Sequence, residues 1–130
     1  MTAELNHTIV PVRDKHAAAA FLGRILGIHP GAPVAQFAPL TLANGISLDY
    51  MDLADDPMSH YAFLVDEGTF ETAFERVSSG GIQYFGEPRG GRPGEQYRSA
   101  VGARGFYFRD PDGHLMELLT RDALGREAGR

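Results

Sequence analysis

The feature that most constrains this chain is a repeat. The segment LNHTIVPV at residues 5–12 aligns without gaps on MSHYAFLV at residues 58–65, which sets His7 on His60. Reading onward from each histidine, Val12 meets Val65, Asp14 meets Glu67, Phe21 meets Phe74 and Gly27 meets Gly80. The valines close a β-branched and aromatic run that reads as a strand, and the carboxylates fall where a helix N-terminus favours negative charge. Ala18, Phe21, Leu22 and Ile25 then follow helical spacing, as do Phe70, Ala73, Phe74 and Val77, so each helix needs a sheet to cover one apolar stripe. Gly27 and Gly80 suit the left-handed residue that ends a helix.

After each helix the pattern turns to short strands. The first unit predicts strands near 34–37 and 40–43, a tight hairpin at Asn44-Gly45 and a strand over 46–51. The second predicts strands near 83–85, 105–109 and 114–120, with a turn at Asp110-Pro111-Asp112-Gly113. Each unit is therefore βαβββ, over about 4–53 and 58–121, and the fold class is α+β with two tandem modules forming a curved-sheet cavity. Residues 86–104, rich in Gly, Pro and Arg and without period, read as a loop that breaks the symmetry.

With 130 residues, 43% of them hydrophobic, the chain has room for a single domain over 1–130. Cysteine is absent, which excludes disulfides, thiolate ligands and a cysteine nucleophile and leaves metal or acid–base work to His and carboxylates. A net charge of -5 with Lys15 as the only lysine argues against nucleic-acid binding. No apolar run is long enough for a membrane helix and MTAELNHT lacks signal-peptide regions, so a cytoplasmic location is expected. The preference for Arg and Ala over Lys suggests a bacterial, GC-rich source.

Strand alternation puts Leu5, His7 and Ile9 on one face, His60, Ala62 and Leu64 on another, and Leu115, Glu117 and Leu119 on a third. Asp49 holds the place in the first unit that Glu117 holds in the second, so each repeat offers one histidine and one carboxylate. His7, His60 and Glu117 are the expected metal ligands, since two imidazoles and a carboxylate leave positions open on Fe, Mn, Ni, Co or Zn. Asp49 is either a fourth ligand or a base, and Tyr107 either donates a hydrogen bond in the cavity or packs as an aromatic. Arg92 and Arg98 are candidates for holding an anionic substrate over the site, the alternative being a solvated loop. His16, His29 and His114 read as structural.

These residues resemble the vicinal oxygen chelate superfamily of glyoxalases, extradiol dioxygenases, fosfomycin-resistance enzymes and bleomycin-resistance proteins. The resemblance is carried by LNHTIV with a helix ending ILGI, by SHYAFLV, and above all by RGFYFRDPDGHLMEL from Arg104 to Leu118. It implies the same three ligands, a divalent metal ion, a small-molecule substrate bound through adjacent oxygens, and a homodimer. The reaction it implies is extradiol-type oxygenation or a glyoxalase-type lyase step; a metal-free drug-binding protein is the alternative. Glyoxalase-like members carry a glutamate where Asp49 stands. HYAF and FYFRDPDGH look most like the fosfomycin-modifying members, in which the tyrosine matching Tyr107 is in the active site. Their threonine two residues after the first histidine is Ile9 here, and no potassium-loop pattern of lysine and serine precedes Tyr107, so thiol transfer ranks lowest.

Overall fold

The computed structural model describes residues 4–53, 58–89 and 92–129, and the chain divides into two compact units, Met1–Pro57 and Met58–Arg130. The first unit runs β1 (His7–Val12), α1 (Lys15–Leu26), β2 (Ala38–Thr41) and β3 (Ser47–Asp52). Its sheet has the order β1-β3-β2, with β1 parallel to β3 and β2 antiparallel to it. Asp14 starts α1 by accepting the Ala17 N–H at 3.1 Å, satisfying a donor that the helix itself leaves free. Gly27 ends it in the left-handed conformation at φ 75. Ala18, Ala19, Leu22 and Ile25 are buried, as are Val10, Val12, Leu40, Leu48 and Tyr50 of the strands. The alternate residues His7, Ile9, Ser47 and Asp49 take the other sheet face.

The second unit runs β4 (His60–Leu64), α2 (Glu67–Ser79), β5 (Tyr84–Phe85), β6 (Tyr97–Arg98), β7 (Arg104–Arg109) and β8 (Leu115–Leu119). Its sheet has the order β4-β8-β7-β5, and β6 pairs with β7 beyond the reach of β5, so both short strands share one edge of β7. The core under α2 is aromatic. Phe106 lies 5.4 Å from Phe70 and 5.3 Å from Phe74, edge to face in both contacts, the geometry that ring quadrupoles favour. Arg104 closes one end of this face, its guanidinium 4.5 Å above the Phe70 ring and paired with Glu67 and Glu71. Among the described residues no helix is long and apolar enough to cross a membrane.

The α+β class and the open mixed sheets match the sequence reading, and three local expectations are corrected. The strand near 34–37 is a turn: Val34 and Phe37 exchange backbone hydrogen bonds with each other at 3.0 and 2.9 Å, with Ala35 at φ 51, so the segment pairs with itself. Gly80 caps α2 but keeps φ -79, and the left-handed residue is Gly81 at φ 72, because consecutive glycines let the reversal fall one residue later. The aperiodic 86–104 stretch contains β6, and is further tied down by the Phe85–Pro93 bridge and by the Gly94 N–H on the Tyr84 carbonyl at 2.8 Å.

Candidate metal centre

In the second unit, register brings the chemistry together. On β8, Glu117 stands opposite Ala62 of β4 and opposite Tyr107 of β7, two pairs along from His60 opposite Leu115. Residues directly opposite share a face, so His60, Glu117 and Tyr107 all lie on the face turned away from α2. His60 Nε2 and Glu117 Oε1 are 2.9 Å apart. The ring N–H donates to the carboxylate, which when ionised only accepts. Glu117 is 8% exposed, a burial that a carboxylate tolerates only with partners for its oxygens. Its Oε2 accepts the Tyr97 hydroxyl at 2.6 Å.

The bed beneath these groups is apolar. Phe85, Tyr107 and Leu115 are buried together, with Tyr97 packed against them. The Tyr107 ring lies 5.9 Å from the His60 imidazole and 5.6 Å from the Tyr97 ring. Burial first, and the neighbouring Glu117 charge second, push the Tyr107 phenol up to about 12. Tyr97 is raised as well, by burial first and by its hydrogen bond to Glu117 second. Both hydroxyls therefore remain protonated donors across the physiological range.

The DPDGH turn fixes the strand ends around this pair. Gly113 at φ 87 makes the reversal that a Cβ would strain, and Asp110 Oδ1 accepts the Asp112 and His114 N–H groups, each at 2.9 Å. Burial lifts the Asp110 carboxyl above its ordinary range, against the pull of these N–H donors. His114 is buried and its Nδ1 accepts the Ser59 N–H at 2.9 Å, anchoring the residue before His60.

The first unit places its candidates in the same register. His7 stands opposite Ser47 and Ile9 opposite Asp49. His7 is exposed and its Nδ1 meets Asn6 Oδ1 at 2.8 Å, while Asp49 Oδ1 accepts the Ser47 hydroxyl at 2.6 Å. Within either unit, among the described residues, no three His, Asp or Glu side chains gather at one point. Arg92 is 87% exposed beside Glu95, and Arg98 pairs with Arg104, so alternation turns it to the α2 side while Tyr97 faces Glu117. His16 and His29 are exposed.

The donor set in the second unit fits a divalent ion. Two ligands at about 2.1 Å on neighbouring vertices of an octahedron lie about 3.0 Å apart, and His60 Nε2 and Glu117 Oε1 already have that separation. Nitrogen and carboxylate oxygen suit Fe, Mn, Co, Ni and Zn alike, so the donors leave the metal open. The residue that sequence reading missed is Tyr97. A two-residue strand inside a Gly, Pro and Arg-rich stretch has no periodicity to detect, and the one available sign was a lone tyrosine there.

A family model described as the glyoxalase/bleomycin resistance protein/dioxygenase superfamily matches residues 4–118. The chain belongs to this superfamily. Among similar structures, Oxidase ChaP-H2 has a TM-score of 0.90 and 46% identity, covering 94% of this chain and 96% of that one. Oxidase ChaP-H1 has a TM-score of 0.89 and 41% identity over 93% of this chain and 98% of its own. Glutathione transferase FosA of Serratia marcescens is 30% identical, over 98% of this chain and 88% of that protein. Superfamily membership thus spans several chemistries, and the likeness to a transferase runs the length of a chain whose sequence signs ranked thiol transfer last.

Proposed function

We propose that this chain is a metal-dependent oxidase, which oxidises a small organic substrate held through two adjacent oxygens and passes the electrons to O₂. His60 and Glu117 of the second unit would hold the metal. The observation that carries the reading is the His60–Glu117 contact, a nitrogen and an oxygen at ligand spacing on one sheet face. The likeness to Oxidase ChaP-H2 favours oxidation over a lyase step. When bound, the ion would supply neighbouring open positions and stabilise negative charge on the substrate oxygens.

The chain's own residues supply the remaining functions. Glu117 and His60 would hold the ion, and an imidazole must be neutral to do so, so metal affinity should fall in acid. Tyr107, protonated up to about 12, donates a hydrogen bond from the apolar bed toward a substrate oxygen. Phe85 and Leu115 give the substrate an apolar surface and exclude water.

The test is oxygen uptake by Fe(II)-loaded protein across a panel of catechols and hydroxyquinones. Uptake that disappears in His60→Ala supports the reading, and none with any member sinks it. The likeness to FosA favours a second reading, thiol transfer, which predicts consumption of glutathione with an electrophilic epoxide and no oxygen demand.

A further inference from the structure

Glu117 has two oxygens, and they have different partners: Oε1 faces His60 and Oε2 takes the Tyr97 hydroxyl. The ring that delivers this hydroxyl sits on Gly105. Tyr97 and Gly105 are register partners between β6 and β7, and a Cβ built at Gly105 would run into Cζ, Cε2 and Oη of Tyr97. Gly105 does not have the positive φ that explains eight other glycines among the described residues. Its backbone is ordinary strand, where glycine costs stability and marks a close approach by something else. Here the approaching group is the tyrosine ring.

We propose that Tyr97, seated on Gly105, is a positioning residue that commits Glu117 to ligation through Oε1 alone. A carboxylate binds a metal through one oxygen or two. With Oε2 held by a phenol the second mode is closed, and the position it would fill stays free for a second substrate oxygen. Two-oxygen chelation of substrate thus depends on a residue that touches neither substrate nor ion. The inference rests on the reading of Glu117 as a metal ligand.

The experiment uses the full chain loaded with Co(II), its visible spectrum, and titration with 4-nitrocatechol as a two-oxygen probe. Tyr97→Phe keeps the ring over Gly105 and removes the hydroxyl, whereas Gly105→Ala keeps the hydroxyl and displaces the ring. Both variants should alter the Co(II) bands before any probe is added, toward the weaker absorption of a higher coordination number. Both should weaken 4-nitrocatechol binding by about tenfold, the lower end of what outer-shell changes cost. Native bands and native probe affinity in both variants would overturn the role of Tyr97 while leaving the metal centre standing. Failure of the native chain to take up Co(II), or uptake unchanged by Glu117→Gln, would remove the metal centre and this inference with it.

Discussion

The two units use one backbone plan to different ends. In each, a histidine stands opposite the residue two places before a carboxylate: His7 opposite Ser47 with Asp49 beyond it, and His60 opposite Leu115 with Glu117 beyond it. In each, that carboxylate accepts a hydroxyl at 2.6 Å. The hydroxyl's origin differs. Ser47 shares the strand with Asp49 and lies in the position that Leu115 holds in the second unit, so it satisfies the shorter carboxylate locally and His7 turns to Asn6. Leu115 offers no hydrogen bond, so Glu117, one methylene longer, reaches His60, and its other oxygen is met by a tyrosine from β6. Equal registers therefore do not make equal sites; the residue two places before the carboxylate decides which partner it takes.

The largest expected effect tests the cores. Phe106→Ala removes the ring packed on both Phe70 and Phe74 and should cost about 3–5 kcal/mol, against about 2–5 for Leu22→Ala in the first unit. Urea unfolding followed by near-ultraviolet circular dichroism and fluorescence reads both, and a Phe106→Ala loss under about 1 kcal/mol would deny the aromatic core its place.

Next comes the carboxylate asymmetry. Glu117→Gln should weaken divalent metal binding on the order of a hundredfold or more, whereas Asp49→Asn should change it less than about tenfold. Calorimetry decides, and equal losses would make Asp49 a ligand and the units alike.

A smaller effect follows from the tyrosines. Tyr107 ionises at about 12 in the folded chain, above its ordinary value of 10.0. A phenol whose pKa is raised by folding stabilises fully below the ordinary value and loses that contribution as pH rises through the folded one. Stability should therefore fall from pH 10 to about 12, less steeply in Tyr107→Phe, as read from melting temperatures across that range. An identical slope in the variant would show that folding leaves this phenol unshifted.

The smallest effect is that of Ser47→Ala, which removes one hydrogen bond and should cost about 1 kcal/mol. It also frees Asp49, so tighter metal binding in this variant would show that Ser47 alone keeps the first unit's carboxylate from an ion.

Much of this was legible in the chain itself. The strands carrying His7, His60, Asp49 and Glu117, both helices, and the 110–113 turn follow from period, capping carboxylates and glycine, all signals set within a few residues. The 34–37 segment misled because a short β-branched and aromatic run reads as a strand whether or not a neighbour exists to pair with it. The left-handed glycine slipped from 80 to 81 because either could take the turn.

By itself the sequence determined a twofold βα plan with a histidine and a carboxylate repeated on it, because side-chain alternation and helical spacing are local properties. Tertiary structure alone decided what each carboxylate touches. The His60–Glu117 and Tyr97–Glu117 contacts join residues 57 and 20 places apart in the chain, across strands whose pairing no local pattern encodes. The register is the same in both units, so the side chains it brings within reach convert identical spacing into different partners, and that reach exists only once the sheet has formed.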